Sequence, residues 1–266
     1  MDVSDIAADL VAEQDALDAV VAPLDPSGWS AATPSPRWTV AHQVAHLHYF
    51  DRAATTAIAD PDAFVEQRVA DVAGMAGGIE EFEAATLDAS VAEGPRALLE
   101  AWREGRRALA AAALTLTNAS RVEWYGPSMG GKSFLTARLM ECWAHGQDVV
   151  DAVGGHRPAT DRLRHIAQLG FITRGWSYMN RGETPPAGEV QVVLGSPSGG
   201  RWSFGPPDAP VVASGDAEQF CLVVTQRRHL DDTSLEVDDV GRDWLVRAQA
   251  FAGPPTDGPP PGGRST

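Results

Sequence analysis

Two stretches, Trp38-Thr-Val-Ala-His42-Gln-Val-Ala-His46-Leu-His48 and Glu141-Cys-Trp-Ala-His145-Gly-Gln-Asp148, set imidazoles and carboxylates into otherwise apolar helical patterns. At about 100° per residue, Glu141 and His145 fall about 40° apart around a helix and Asp148 falls close by, so the three share one stripe. One imidazole from the first stretch completes a His, Glu, His set. His46 lies deepest in the apolar run Val44-Ala45-His46-Leu47, and His42, on the same face, is the substitute. Buried imidazole and carboxylate without partners are costly, and a divalent cation is the usual way to neutralise them. Two His and one carboxylate also leave coordination positions open, as a catalytic site requires. In this reading Asp148 either orients an imidazole or adds a fourth ligand.

Working outward, the first ~180 residues carry helical periodicity. Ile6, Leu10, Val11, Leu17, Val20 and Val21 repeat at helical spacing, and Asp25-Pro26-Ser27-Gly28 closes that segment. Thr39 caps a second helix from Val40 to about Ala59, stopped by Asp60-Pro61. Residues 61–90 are helical in composition with a break at Gly77-Gly78. Pro95 opens a helix reaching about Leu116. Ser133 is the expected cap of a helix from Phe134 to Val153 that ends at Gly154-Gly155. Residues 161–180 form a further helix. This is the pattern of a helical bundle, where ligand sites form between facing helices.

The texture changes at Thr184-Pro-Pro-Ala-Gly188. Glu189–Leu194 and Arg201–Phe204 read as strands of a hairpin, and Pro210–Ala213 adds a third. Asp216–Thr225 and Val240–Phe251 read as helices. The expected fold class is therefore α+β: a helical domain over 1–183, a small α+β domain over 188–252, and a Gly/Pro-rich tail over 253–266 with nothing to bury, expected to be disordered.

Composition narrows the function. The chain has 266 residues, 44% of them hydrophobic, and 21 Lys+Arg against 36 Asp+Glu give a net charge of −15. Such a surface repels nucleic acid and anionic lipid, which leaves a small molecule as the expected partner. The N-terminal residues lack a basic segment followed by an apolar one, and no apolar run of ~18 residues is present, so a cytoplasmic location is expected. Cys142 and Cys221 are too few for a disulfide framework and read as buried core thiols.

Gly126-Pro-Ser-Met-Gly-Gly131-Lys132-Ser133 fits the phosphate-cradling pattern literally. That motif needs a buried strand feeding the loop and a second strand ending in Asp, and Pro127 removes one backbone N–H from the cradle. It reads instead as a Gly-rich helix entry. Arg227 and Arg228 follow the apolar run Phe220–Val224, where a guanidinium could hold a substrate carboxylate through its bidentate fork. Trp38, Trp143, Trp176 and Trp202 read as core.

Taken together, the Trp38–His46 segment, Glu141–His145 with Asp148, and the small α+β tail resemble the DinB-like metal-binding superfamily, in its branch containing mycothiol-dependent maleylpyruvate isomerase. The resemblance extends to about residue 252. It implies a four-helix DinB-like bundle followed by a sterol-carrier-like α+β domain, with His46, Glu141 and His145 as zinc ligands and Arg227, or alternatively Arg228, as the C-terminal arginine. The chain departs from the isomerase at Thr225-Gln226-Arg227-Arg228 and looks closer to a subfamily sometimes labelled wyosine base formation, a label that the acidic surface argues against. The resemblance implies a metal-dependent isomerase or S-transferase of an actinobacterium, using mycothiol on a small electrophilic acid. Thiolate addition, bond rotation and elimination would give an isomer; addition without elimination would give a thioether. The alternative is a non-catalytic, metal-dependent small-molecule binding protein.

Overall fold

The structure, a computed structural model, describes residues 2–75 and 78–264; Gly77 of the expected Gly77-Gly78 break and the last two residues of the tail lie outside the described residues. The chain is α+β, helix-rich first and with a small sheet after. It divides into two compact units, Met1–Arg157 and Pro158–Thr266.

The first unit contains α1 (Val3–Val21), the short α2 (Pro26–Trp29), α3 (Val40–Ala59) and α4 (Pro61–Met75). There follow α5 (Ile79–Glu83), a π-helical turn (Ala84–Asp88), α6 (Ala89–Ala92), α7 (Pro95–Ala113), a two-stranded hairpin β1 (Arg121–Val122) and β2 (Met129–Gly130), and α8 (Gly131–Val153). Helices α1, α3, α7 and α8 form the four-helix bundle: α3 packs on α7 and α8, and α1 on α7 and α8. Their shared apolar stripes bury Leu10, Leu17, Val44, Trp102, Leu109 and Leu135.

Thr39 caps α3, as its sequence indicates, and Gly154 ends α8 in the left-handed conformation at φ 63°. Ser133 is not the start of α8. The helix begins at Gly131, whose N–H bonds the Ser120 carbonyl at 2.9 Å, because the β1–β2 hairpin delivers the chain directly into the first turn. That hairpin is antiparallel and two residues long, unlike the buried strand that a phosphate cradle requires.

Two polar groups tie the bundle together. Asp51 of α3, almost wholly buried, meets Arg138 of α8 at 3.0 Å, Gln14 of α1 at 2.9 Å and the Trp102 indole of α7 at 3.3 Å. One carboxylate thus touches all four helices, and each contact satisfies a group that could not be left bare in the interior. Asp18 of α1 holds Arg103 at 2.6 and 2.7 Å and Arg106 at 2.9 Å, both on α7.

The second unit holds α9 (Leu163–Ile172), α10 (Arg174–Met179), β3 (Gln191–Gly195), β4 (Arg201–Phe204), β5 (Val211–Asp216), α11 (Ala217–Val224), β6 (Glu236–Val237) and α12 (Asp239–Leu245). The sheet order is β4-β3-β5-β6, with β3 and β5 parallel and the other pairs antiparallel. Helix α9 packs on α11 through Gly170, where an added Cβ would lie 2.7 Å from Val224. This close crossing draws residues 158–183 into the second unit, whereas the sequence placed the change at 183–188.

The last helix ends at Leu245 instead of Phe251. The Ala250 N–H bonds the Val224 carbonyl at 2.9 Å and the Gln226 amide bonds the Ala248 carbonyl at 2.9 Å, so tertiary partners replace the next helical turn. Residues 253–264 of the tail, for which the sequence offers nothing to bury, make polar contacts with their own unit. Asp257 meets Arg181 at 2.7 Å, the Thr256 hydroxyl donates to Gln226 at 2.6 Å, and the Gly262 N–H donates to Asp232 at 2.9 Å. Strand β6 gave no signal in the sequence because it is two residues long.

Candidate metal centre

The site lies inside the first unit, where α3 faces α8. Helix geometry stacks Glu141 and His145 one turn apart, and α3 presents His46 to both. One Glu141 carboxylate oxygen, Oε2, is 3.1 Å from His145 Nε2 and 3.4 Å from His46 Nε2. One ligand atom from each of the three residues lies within 4.8 Å of the others. Ligands at ~2.1 Å from a shared tetrahedral ion stand ~3.4 Å apart, so this spacing suits one divalent ion. The donor set, two imidazole nitrogens and a carboxylate oxygen, suits zinc or a neighbouring transition metal and leaves room for an exogenous ligand.

The electrostatics agree with that capacity. Burial first, then the neighbouring His145, pushes the His46 imidazole down to about 4, so it is neutral near pH 7 and keeps a lone pair to give. Burial alone would raise the Glu141 carboxyl, but the two imidazoles facing it reverse this and hold it well below the usual carboxylate range. Aromatic rings wall the imidazoles. Phe50 is 4.6 Å from His46 between ring centroids, and Trp38 is 5.2 Å from His46 and 5.9 Å from His145. Trp38, read from the sequence as core, therefore lies against the site, and Trp176 is 38% exposed; Trp143 and Trp202 are buried.

Other candidates fall elsewhere. His42 is turned back onto the start of its own helix: its Nδ1 is 2.7 Å from the Thr39 hydroxyl and its Nε2 is 3.2 Å from Asp88. It caps α3 and stands outside the His46–Glu141–His145 group because the cap competes for its ring. Asp148 is fully buried but lies outside that group too, accepting from the Ser35 hydroxyl at 3.3 Å. His145 Nδ1 instead pairs with the side-chain oxygen of Gln43 at 2.6 Å. Sequence reasoning missed Gln43; its one signal was a polar side chain on the same face as His46, three residues before it in an apolar run.

Cys142 is buried, and burial first, then Glu13 and Asp51, pushes its thiol well above the ordinary value, so it is inert. Arg227 and Arg228 belong to the second unit. Arg227 is half-buried and donates to the Thr225 carbonyl at 2.7 Å; Arg228 is buried and donates to the Arg227 carbonyl at 2.7 Å. A concavity of about 540 Å³, lined by His48, Arg52, Glu93 and Gly105, lies on another side of α3. The cluster, with its matched donors, is the better candidate for chemistry. No helix among the described residues is long and apolar enough to cross a membrane.

Comparison with known proteins follows the same line. The family model of the mycothiol maleylpyruvate isomerase N-terminal domain matches residues 10–150. Two uncharacterised proteins of Mycobacterium tuberculosis, from strains CDC 1551 / Oshkosh and ATCC 25618 / H37Rv, are each 48% identical over 254 residues, covering 94% of this chain and 96% of theirs. Among solved structures, the crystal structure of the mycothiol-dependent maleylpyruvate isomerase is similar with a TM-score of 0.53 at 19% identity, covering 85% of this chain and 90% of that one. A mutant of that isomerase gives the same TM-score at 18% identity. At these identities the structural likeness speaks for the fold.

Proposed function

Because the chain belongs to the mycothiol maleylpyruvate isomerase N-terminal domain family, we propose that it is a metal-dependent, thiol-using enzyme. It acts as an isomerase or S-transferase on a small unsaturated or otherwise electrophilic acid. The observation that carries this is the convergence of His46, Glu141 and His145 donor atoms within 4.8 Å. A divalent ion held by these three residues would supply Lewis acidity and bring a low-molecular-weight thiol, mycothiol by family membership, to the thiolate form at neutral pH.

The chain's own residues do the rest. Neutral His46 and ionised Glu141 present lone pairs without first having to lose protons, so metal loading is not opposed by acid near pH 7. Trp38 and Phe50 lie against the His46 imidazole and make its surroundings less polar. Arg227, or alternatively Arg228, is the guanidinium assigned to a substrate carboxylate, whose two oxygens match its planar fork. Net charge −15 favours a small-molecule partner over nucleic acid, and the enzyme is placed in the cytoplasm, where low-molecular-weight thiols stay reduced.

Elemental analysis of the purified protein, followed by titration with mycothiol, tests the proposal. Wild type is expected to carry one equivalent of a divalent metal and to bind the thiol only when loaded, and Glu141→Ala to lose both. Wild type that takes up no metal from a zinc-supplemented solution overturns it. Stoichiometric metal with no thiol binding leaves a non-catalytic metal-dependent protein.

A further inference from the structure

The hydrogen bonds beneath His145 run in one direction only. The Gln43 side-chain nitrogen, Nε2, lies 2.9 Å from the Thr33 hydroxyl and 3.1 Å from the Ser35 hydroxyl. Each hydroxyl has one hydrogen, and each has spent it: Thr33 donates to the Trp38 carbonyl at 2.9 Å, and Ser35 donates to the Asp148 carboxylate at 3.3 Å. Both therefore meet Gln43 with lone pairs, and the side of the amide that faces them must be its NH₂. The amide oxygen is left facing His145 Nδ1 at 2.6 Å, where it can only accept. Nδ1 must then carry the hydrogen. When the imidazole is neutral, Nε2 is left bare, 3.1 Å from a Glu141 oxygen that is itself an acceptor. Two lone pairs at that distance repel unless a cation stands between them.

We infer that Gln43 is a positioning residue, which together with Thr33, Ser35 and Asp148 fixes the Nδ1–H tautomer of His145 and so presents Nε2 as a metal-binding lone pair. The inference rests on the metal reading of the site and deepens it, adding four residues that do not touch the ion. The arrangement is rigid at both ends. Gln43 and Asp148 are fully buried, and the loop carrying Thr33 and Ser35 is closed on itself by the Thr33 N–H bond to the Trp38 carbonyl at 2.8 Å and the bridge between Ala32 and Thr39. A buried carboxylate at the far end also polarises the series toward His145, which makes Nε2 a more basic ligand.

The test is zinc affinity, measured by competition with a chromogenic chelator, together with the visible spectrum of the cobalt-substituted protein, on wild type, Gln43→Ala and the double variant Thr33→Val/Ser35→Ala. The double variant leaves Gln43 in place but frees its amide to turn over. It covers the case in which Gln43→Ala, at a buried position, does not fold. Both variants are expected to bind zinc about 10–100-fold more weakly and to show an altered cobalt spectrum, with the circular dichroism of the bundle retained. A folded variant of either kind with wild-type affinity and an unchanged cobalt spectrum overturns the inference. Wild type that binds neither zinc nor cobalt overturns the metal reading beneath it, a separate outcome visible in the same experiment.

Discussion

At the scale of single residues, the partner of each imidazole assigns its work. His42 and His46 lie four residues apart on α3 and share a face, yet His42 is bound to Thr39 and Asp88 while His46 faces Glu141. His46→Ala is therefore expected to abolish stoichiometric metal binding. His42→Ala should leave metal content unchanged and lower stability by about 1 kcal/mol through the lost cap; metal analysis and urea denaturation of the two variants check this. Helical spacing put Glu141 and His145 on one stripe, and depth in the apolar run made His46 the first choice with His42 as the substitute, because a polar stripe in an apolar helix needs a partner. Gln43 was not legible, because an amide carries no charge and its partners, Thr33 and Ser35, sit in a loop whose course no periodicity describes.

At the scale of elements, the bundle depends on charge pairs that cross it as well as on its apolar stripes. Hydrogen bonding from Arg103 holds the Asp18 carboxyl below its ordinary value, against the opposing effect of burial and with help from the Arg106 charge. A carboxyl with a depressed folded value contributes stability above its unfolded pKa, near 3.8, and that stability is lost as pH falls through the folded value. Asp18→Asn should thus destabilise the protein at pH 7, by on the order of 1–3 kcal/mol because Arg103 and Arg106 lose a buried charged partner. It should also flatten the loss of stability below pH 4. Denaturant titrations at pH 7 and pH 3.5 check both, and parallel acid limbs for variant and wild type would contradict the assignment. The helices themselves were legible in period and caps. The start of α8 was not, since a two-residue hairpin set it, and the end of α12 was not, since the carbonyls of Val224 and Ala248 found partners across the fold.

At the scale of the molecule, the proposed metal would be held by α3 and α8, both helices of the first unit. Chelation is therefore expected to lower stability selectively. A ligand present at a thousandfold over its Kd stabilises by about 4 kcal/mol, so removing it should speed amide exchange in peptides of α3 and α8 while peptides of β3, β5 and α11 keep their protection. Hydrogen-exchange mass spectrometry with and without EDTA reads this directly; equal loss of protection in both units would contradict it.

The amino-acid sequence by itself determined the α+β class, the principal helices and the set of residues able to give lone pairs to an ion, because hydrophobic period, capping and side-chain chemistry are local properties. Only the tertiary structure decided that residues 158–183 pack with the sheet, that the tail is bonded to its own unit, that His42 is a cap, and that an amide and two hydroxyls stand behind His145. Each of those outcomes is a competition among several polar partners for one hydrogen bond or one surface. Which partner wins depends on distances across the fold that no sequence spacing encodes.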